Sequence, residues 1–470
     1  MRFVSTRGGD SAGFHDAVMR GLARDGGLFV PEALPDLRPF LAGWVALPYA
    51  ELATRFLRLF ATDIPLEELR ACAERAYAAF PVPDDPAPLI TLNGAGRPFP
   101  IHVLELFHGP TLAFKDFALR FLGQLYGRAV REGGHAVNIL GATSGDTGSA
   151  AIHGMLDQPG THCFILYPEG RIAPLQERQI ACTGSAAVHA LAVRGAFDDA
   201  QAIVKEILGD AAFSAAHSLT AVNSINIARI LAQCVYYLRA ALRLHGPEAG
   251  AAPLEFVVPT GNFGNVLAGW LLSKMGLCAL RFRVATNAND VVARFFNTGR
   301  YLPGAVHASL APSMDIQQAS NFERWLWYRF DGDAARVRGT LDTLRRTGSF
   351  AFGEAPGGGV TAASFSDAAI LGAIREIHGR TGYLADPHTA CGLAAALDAP
   401  SASGVVPRVV LATAHPAKFP ESALAATGLA PAHPTLEALA SRPVVKQVLP
   451  ATTGAVRRAI EEALGGSAAA

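Results

Sequence analysis

Three features of this sequence predict an α/β architecture built on parallel sheets. From residue 137 onward, short apolar runs alternate with helical stretches, the pattern in which a crossover helix links one parallel strand to the next. Two glycine-rich turns, GATSGDTG at 141–148 and PTGNFGN at 259–265, each join such a run to a helix. The segment 1–96 lacks this alternation and contains the proline-rich stretch 81–88, so it reads as a mixed N-terminal domain with a connection behind it.

Taken in chain order, apolar residues at helical spacing predict helices at 16–24, 51–62 and 65–79. A strand is expected at 137–140 and a helix at 148–156. A second strand covers 164–167, stopped by Pro168, and a third covers 188–193, followed by a helix at 198–208. A long helix at 225–244 leads to a strand at 254–258 and a helix at 266–275. Buried strands are expected at 281–285 and 408–411, with mostly helical chain between them, including 321–330, 334–346 and 367–378. The segment 452–464 reads as a surface helix in which Arg457, Arg458, Glu461 and Glu462 pair at helical spacing, and 465–470 as a frayed end.

The composition narrows the function class. Among 470 residues, 40 are Lys or Arg and 40 are Asp or Glu, so the formal net charge is zero. That balance provides no long-range field for a nucleic acid or an anionic membrane surface, although a few cations and amides suffice for a local anion site. With 50% hydrophobic and 17% charged residues the chain is too apolar to be disordered. The richest apolar stretches, 266–272, 391–397 and 405–414, fall well short of the ~20 residues that cross a bilayer. No apolar signal-type run opens the sequence, and the six cysteines contain no C-x-x-C pair. A cytoplasmic protein with core thiols, no disulfides and no metal is expected.

Five segments carry residue types suited to chemistry. In PTGNFGN the glycines permit positive φ or a close ligand, and the helix start favours an anion; a tight strand-to-helix turn would need the same glycines. GATSGDTG interleaves glycines with hydroxyls and one carboxylate, again as an anion loop or as a turn with an N-cap. In FHGPTLAFKDF (107–117), Lys115 lies between Phe114 and Phe117. It is either a desolvated nucleophilic amine or a lysine snorkelling out of an apolar helix, and Asp116 fits a first-turn helix charge. NSINIAR (223–229) brings Ser224, Asn226 and Arg229 to one helix start, as a phosphate site or as capping plus a surface arginine. In ATAHPAKF (412–419), Thr413 follows a buried strand, where ligands of open α/β sheets sit, with His415 and Lys418 close behind it.

The ordered set of these five motifs resembles the threonine synthase family, in the longer branch with an extra N-terminal domain. VSTRG at 4–8 and GGLFVP at 26–31 resemble that branch too. The resemblance implies a pyridoxal 5'-phosphate (PLP) enzyme of fold type II, similar to the β subunit of tryptophan synthase. Such a chain has two open, mainly parallel sheet domains flanked by helices, plus the mixed N-terminal domain. Its implied limits are 1–96 for the N-terminal domain, 133–222 for the small PLP-fold subdomain, 97–132 with 223–430 for the large PLP-binding domain, and 431–470 for a C-terminal extension. Lys115 matches the lysine that links to PLP and is the implied catalytic residue. Gly261, Asn262, Phe263, Gly264 and Asn265 match the loop that holds the cofactor phosphate, and Thr413 the residue facing the pyridine nitrogen. Ser144, Asp146 and Thr147 lie in the loop that binds the substrate carboxylate and nearby groups. Ser224, Asn226 and Arg229 match the region that receives the substrate phosphate. At Asp146 many fold-type-II enzymes carry an asparagine that bonds the cofactor's 3' oxygen. An ionised aspartate cannot donate there, so it is expected to be protonated or to point elsewhere.

The implied activity is a cytoplasmic lyase of threonine biosynthesis, a monomer or homodimer. It takes O-phospho-L-homoserine and water to L-threonine and phosphate by γ-elimination and β-hydration. Two other readings use the same residues: a PLP enzyme that eliminates without making threonine, and a binding protein that has lost PLP and keeps its sheets as a scaffold. Intact Lys115, GNFGN and Thr413 oppose the latter.

Overall fold

The structure, a computed structural model, describes residues 1–94, 100–133, 136–143, 145–156, 158–398 and 406–465. The end expected to fray, past Gly465, and the expected domain limit at 96–97 lie outside the described residues.

The N-terminal segment folds as a three-stranded antiparallel sheet, ordered Ser11–Ala12, Phe3–Ser5, Phe29–Pro31, with four helices beside it. The helix expected at 16–24 is Phe14–Arg20, because Gly21 takes a left-handed φ of 66° and ends it. Helices Tyr49–Arg58 and Leu66–Tyr77 stand where apolar spacing placed them. The proline-rich stretch does not separate independent cores. Tyr49, Tyr77 and Phe80 pack around Phe117, with ring centroids 5.6 Å (Tyr49–Phe117) and 4.7 Å (Phe80–Phe117) apart. The N-terminal helices thus share one continuous core with the helix Lys115–Gly133, which begins at the candidate lysine.

Behind it stand two open sheets. The larger has six strands in the order Val360–Ser364, Ala279–Thr286, Pro253–Pro259, Arg408–Ala412, Ile101–Glu105, Leu89–Leu92, all parallel except the last pair. The smaller has five parallel strands, ordered Gln447–Pro450, Val188–Arg194, Cys163–Pro168, Asn138–Ala142, Leu219–Ala221. Five of these eleven strands, including Leu89–Leu92 and Val360–Ser364, escape the apolar-run criterion. They hold three to five residues and bear polar or exposed positions, too short to show a period of two.

Gln447–Pro450 lies in the segment 431–470 expected as a C-terminal extension. It forms the edge of the five-stranded sheet, and the helix Thr453–Gly465 inserts Ala455, Val456, Ala459 and Ile460 into that sheet's core. Arg457 pairs with Asp210 at 2.8 Å and lies over Phe213, an ion pair between helices rather than within one.

Each sheet has one place where the strand order reverses. In the larger it falls between Pro253–Pro259 and Arg408–Ala412, and in the smaller between Asn138–Ala142 and Leu219–Ala221. Ligands of open α/β sheets bind at such points. The turns leaving these four strands are the motif segments 260–265, 413–419, 143–148 and 222–229.

The helix Lys115–Gly133 crosses the helix Asp146–Met155 where Gly123 meets Gly154. A Cβ on Gly123 would stand 1.9 Å from the Gly154 carbonyl oxygen, and one on Gly154 would stand 2.5 Å from the Leu119 oxygen. Only hydrogen fits at that crossing, and it sets the spacing of two helices whose first residues are Lys115 and Asp146. Among the described residues no helix is long and apolar enough to cross a membrane.

Candidate active site

The four turns enclose a cleft lined by Lys115, Asp146, Thr147, Ser224, Arg229, 259–265 and Thr413, with Ser313, Met314 and His388 added from other segments. Ser144 lies outside the described residues.

Lys115 is placed by a backbone zipper. Phe114 N–H donates to the Thr413 carbonyl at 2.9 Å and His415 N–H to the Leu112 carbonyl at 3.0 Å, with Leu112 held at φ 58°. The lysine therefore emerges beside Thr413, itself tied by its N–H to Thr389 Oγ1. Asp116 stands in the first turn of its helix, as expected. It is fully buried, accepts from the N–H and hydroxyl of Thr111, and closes the 108–114 loop. Burial, opposed by those hydrogen bonds, raises its pKa to about 6.

In 259–265 the glycines serve close approach rather than positive φ. Phe263 takes the left-handed conformation, at φ 62°, and locks it by burying its ring against Phe296 and Phe322. A Cβ on Gly261 would meet the Ser313 carbonyl at 3.1 Å, and one on Gly264 the Asn321 amide at 3.0 Å. In 141–148 the Thr143 hydroxyl is used by the loop itself, accepting the N–H groups of Gly145 and Gly148. Gly145 sits at φ 145° beneath Gln176, where a side chain would clash.

Asn226 departs from the expected role. Its amide oxygen caps the helix Ile227–His245 by accepting from Ala228 N–H, and its nitrogen donates to the Val18 carbonyl at 2.8 Å. Both ends of the amide are committed away from the cleft, so Asn226 ties the N-terminal domain to this helix. Asn321 and Arg324, which the sequence reading passed over as part of a helix, hold the neighbouring backbone. Asn321 Nδ2 donates to the carbonyls of Ser224 and Asn262. Arg324, fully buried, donates to Phe29 O, Ile225 O and Asn321 Oδ1. One buried guanidinium thus links the N-terminal sheet to two ligand loops. Arg324→Met is expected to weaken anion binding at both loops, read as a raised phosphate dissociation constant.

Asp146 points at cations. Burial opposes its charge, but Lys418 at 2.8 Å from Oδ1 and Lys115 at 3.5 Å from Oδ2 hold its carboxyl well below the usual range. Gln176 and Ser313 donate to its two oxygens at 3.1 and 3.2 Å. Ser313 is held in turn: its N–H donates to His388 Nε2, while His388 Nδ1 faces Asp386 at 2.8 Å. Lys418 is singled out behind Thr413 without a role, and Ser313 and His388 give no sequence signal, because each becomes relevant only through a partner far along the chain. Burial lowers the Lys115 amine below an ordinary lysine; Asp146 opposes this, and Lys418 and Arg229 add to it.

The cleft is built for anions. Arg229 is 3% exposed and its pKa is lowered by burial to about 10. Its Nε is buried with no hydrogen-bond partner, and so is Asn265 Nδ2, whose amide oxygen accepts from Tyr236 and Tyr237. A buried donor left unpaired costs about 1–3 kcal/mol, and these two meet the requirement of a bound phosphate. A buried amine, two waiting donors and a glycine loop that admits no side chain fit PLP.

Comparison with known proteins agrees along the chain. Residues 2–77 match the family model "Threonine synthase N terminus", 83–414 "Pyridoxal-phosphate dependent enzyme", and 389–460 "Threonine synthase, C-terminal". The chain is 44% identical over 442 residues to a threonine synthase of Pseudomonas aeruginosa, covering 92% of each chain. It is 38% identical over 456 residues to that of Schizosaccharomyces pombe, covering 89% of this chain and 87% of that one. The PLP-bound threonine synthase from Brucella melitensis superposes with a TM-score of 0.91 at 40% identity, covering 98% of this chain and 99% of that one.

Proposed function

The chain belongs to the threonine synthase family and is a PLP-dependent lyase, and from that premise we propose that its substrate is O-phospho-L-homoserine, handled by the residues assigned below. The observation that carries this reading is the cleft between the two switch points, with one buried amine and two unpaired buried donors in separate loops. Such a cleft suits two phosphates, one from the cofactor and one from the substrate.

Residues 261–265, with Asn265 Nδ2, would hold the cofactor phosphate, Lys115 would supply the amine for its covalent link, and Thr413 would offer a hydroxyl to its ring. A neutral hydroxyl there does not demand a protonated ring. Bound in this way, PLP supplies an electron sink for negative charge developing on the substrate. Thr147 and the start of the helix Asp146–Met155 receive the substrate carboxylate. Ser224 and Arg229 receive its phosphate.

Lys115 then works as the acid–base group: its neutral amine takes the proton from the substrate α carbon and returns one at the end. Arg229 keeps the departing phosphate close, where its oxygens can carry a proton. The walls from 259–265 and 313–314 exclude bulk water until the β carbon is ready to accept one.

Incubation with O-phospho-L-homoserine is expected to yield threonine and phosphate in equal amounts. Release of 2-oxobutyrate with no threonine would replace this reading by simple elimination. Arg229→Met is expected to raise KM for the substrate by about 10- to 100-fold, the value of one charge-assisted hydrogen bond. The visible absorption of bound cofactor should remain, and steady-state kinetics with a spectral scan checks both.

A further inference from the structure

We propose that Lys418 is a positioning residue for Lys115: by neutralising Asp146 from the far side, it frees the Lys115 amine of the proton that Asp146 would otherwise keep on it. This rests on the reading of Lys115 as the reactive amine.

The geometry is a buried triad of two cations and one anion. Lys418 is 2% exposed, and its ammonium lies 2.8 Å from Asp146 Oδ1 and donates to the Thr111 carbonyl at 2.7 Å. Lys115 is the looser partner, 3.5 Å from Oδ2, with the Ser313 hydroxyl bridging the two: it lies 3.4 Å from Lys115 Nζ and donates to Oδ2 at 3.2 Å. The two lysines lie far apart in the chain. Lys418 is aimed inward by the turn Pro416–Lys418, which His415 Nδ1 caps by accepting from Ala417 N–H at 3.1 Å.

Electrostatics decides which cation gives up its proton. In a low-dielectric site one carboxylate compensates one ammonium well, and a second ammonium keeps the cost of its own burial. Lys418 has the shorter contact and a carbonyl acceptor in addition, so it is the better compensated partner of Asp146 and Lys115 is the one that yields. The other charges support this order. Arg229 faces Lys115 and adds a third cation. His388 faces Asp146, its Nε2 accepting from Ser313 N–H and its Nδ1 turned to Asp386. Asp116 faces Lys418, but its carboxyl is occupied by Thr111. With Lys418 removed, Asp146 has Lys115 as its remaining close lysine partner, and the proton stays on Lys115.

The test is the pH dependence of Lys115 acetylation by acetic anhydride in the cofactor-free protein, quantified by peptide mass spectrometry. In Lys418→Met the labelling midpoint should rise by about one pH unit or more. Lys418→Arg should leave it in place, and Lys418→Met with Asp146→Asn should bring it back. In the PLP-loaded enzyme the acid limb of the kcat profile should move up with the same variant, whereas loss of packing would lower kcat evenly across pH. A midpoint unchanged in folded Lys418→Met, or raised equally in Lys418→Arg, overturns the proposal. Should Lys418→Met not fold, Asp146→Asn alone decides: it must lower the midpoint, because Lys418 then faces Lys115 uncompensated, and an unchanged midpoint is equally fatal. Failure of the wild type to gain visible absorption with PLP would sink the functional reading while leaving the labelling result intact.

Discussion

Replacing Lys115 with alanine is expected to abolish turnover and the visible absorption of covalently held cofactor together. In the proposed reading the same nitrogen would anchor the cofactor and carry the substrate α proton, so both functions would vanish in one substitution. General acid–base catalysis alone contributes about 10²- to 10⁴-fold, and loss of the covalent anchor adds to that. The fold should survive. The Lys115 side chain is 11% exposed, it lines the cleft, and its removal leaves Asp146 still paired with Lys418 at 2.8 Å. The check is threefold: kcat, an absorption scan before and after borohydride, and a thermal melt. A Lys115→Ala protein that keeps full activity contradicts the assignment of the reactive amine.

Gly123→Ala is the second large effect, and it acts on the helices rather than on a reacting atom. A Cβ at 1.9 Å from the Gly154 carbonyl oxygen cannot be absorbed by a side-chain rotation, because the obstruction is backbone. The helices Lys115–Gly133 and Asp146–Met155 must separate, and overpacking of that kind costs about 3 kcal/mol or more. The expected result is a clear drop in the thermal midpoint together with a weakened Lys115–Asp146 contact, since both residues start those helices. Kinetics should show a kcat loss larger than the stability loss explains at a temperature where the variant is fully folded. A variant as stable and as active as the wild type would mean that the helices have room the structure does not show.

The acid limit of stability has a definite sign. Asp146 is held well below the ordinary carboxylate range in the folded chain by Lys418 and Lys115, against the penalty of burial. Its contribution is therefore complete above the unfolded carboxylate pKa of about 4 and is lost as the pH falls below it. Denaturant melts between pH 7 and pH 3 should show stability falling below about pH 4, and falling less steeply in Lys418→Met/Asp146→Asn.

The parts of the site legible in the sequence are those whose chemistry lies in one short segment. Lys115 between Phe114 and Phe117, the 259–265 turn and Thr413 after its strand line the cleft together, with Arg229 at the start of its helix. The misreadings have local causes too. Asn226 carries the right functional group, but helix capping and the Val18 carbonyl take it. The glycines at 261 and 264 are necessary, but for contact rather than dihedral freedom, since Phe263 takes the positive φ. Strands of three to five residues such as Leu219–Ala221 show no period, so the small sheet's reversal beside Asn138–Ala142 could not be read in advance.

The sequence by itself determined the strand–helix alternation and the places of the glycine-rich turns, because each depends on residues within one short run or one loop. The tertiary structure decided which of those residues meet. Lys115 touches Ser313 across 198 positions of chain, and Lys418 reaches Thr111 across 307. No local preference encodes such a pairing. It follows from two sheets placing their reversal points face to face, from Gly123 letting two helices close on each other, and from a buried carboxylate that must be neutralised wherever its cations come from.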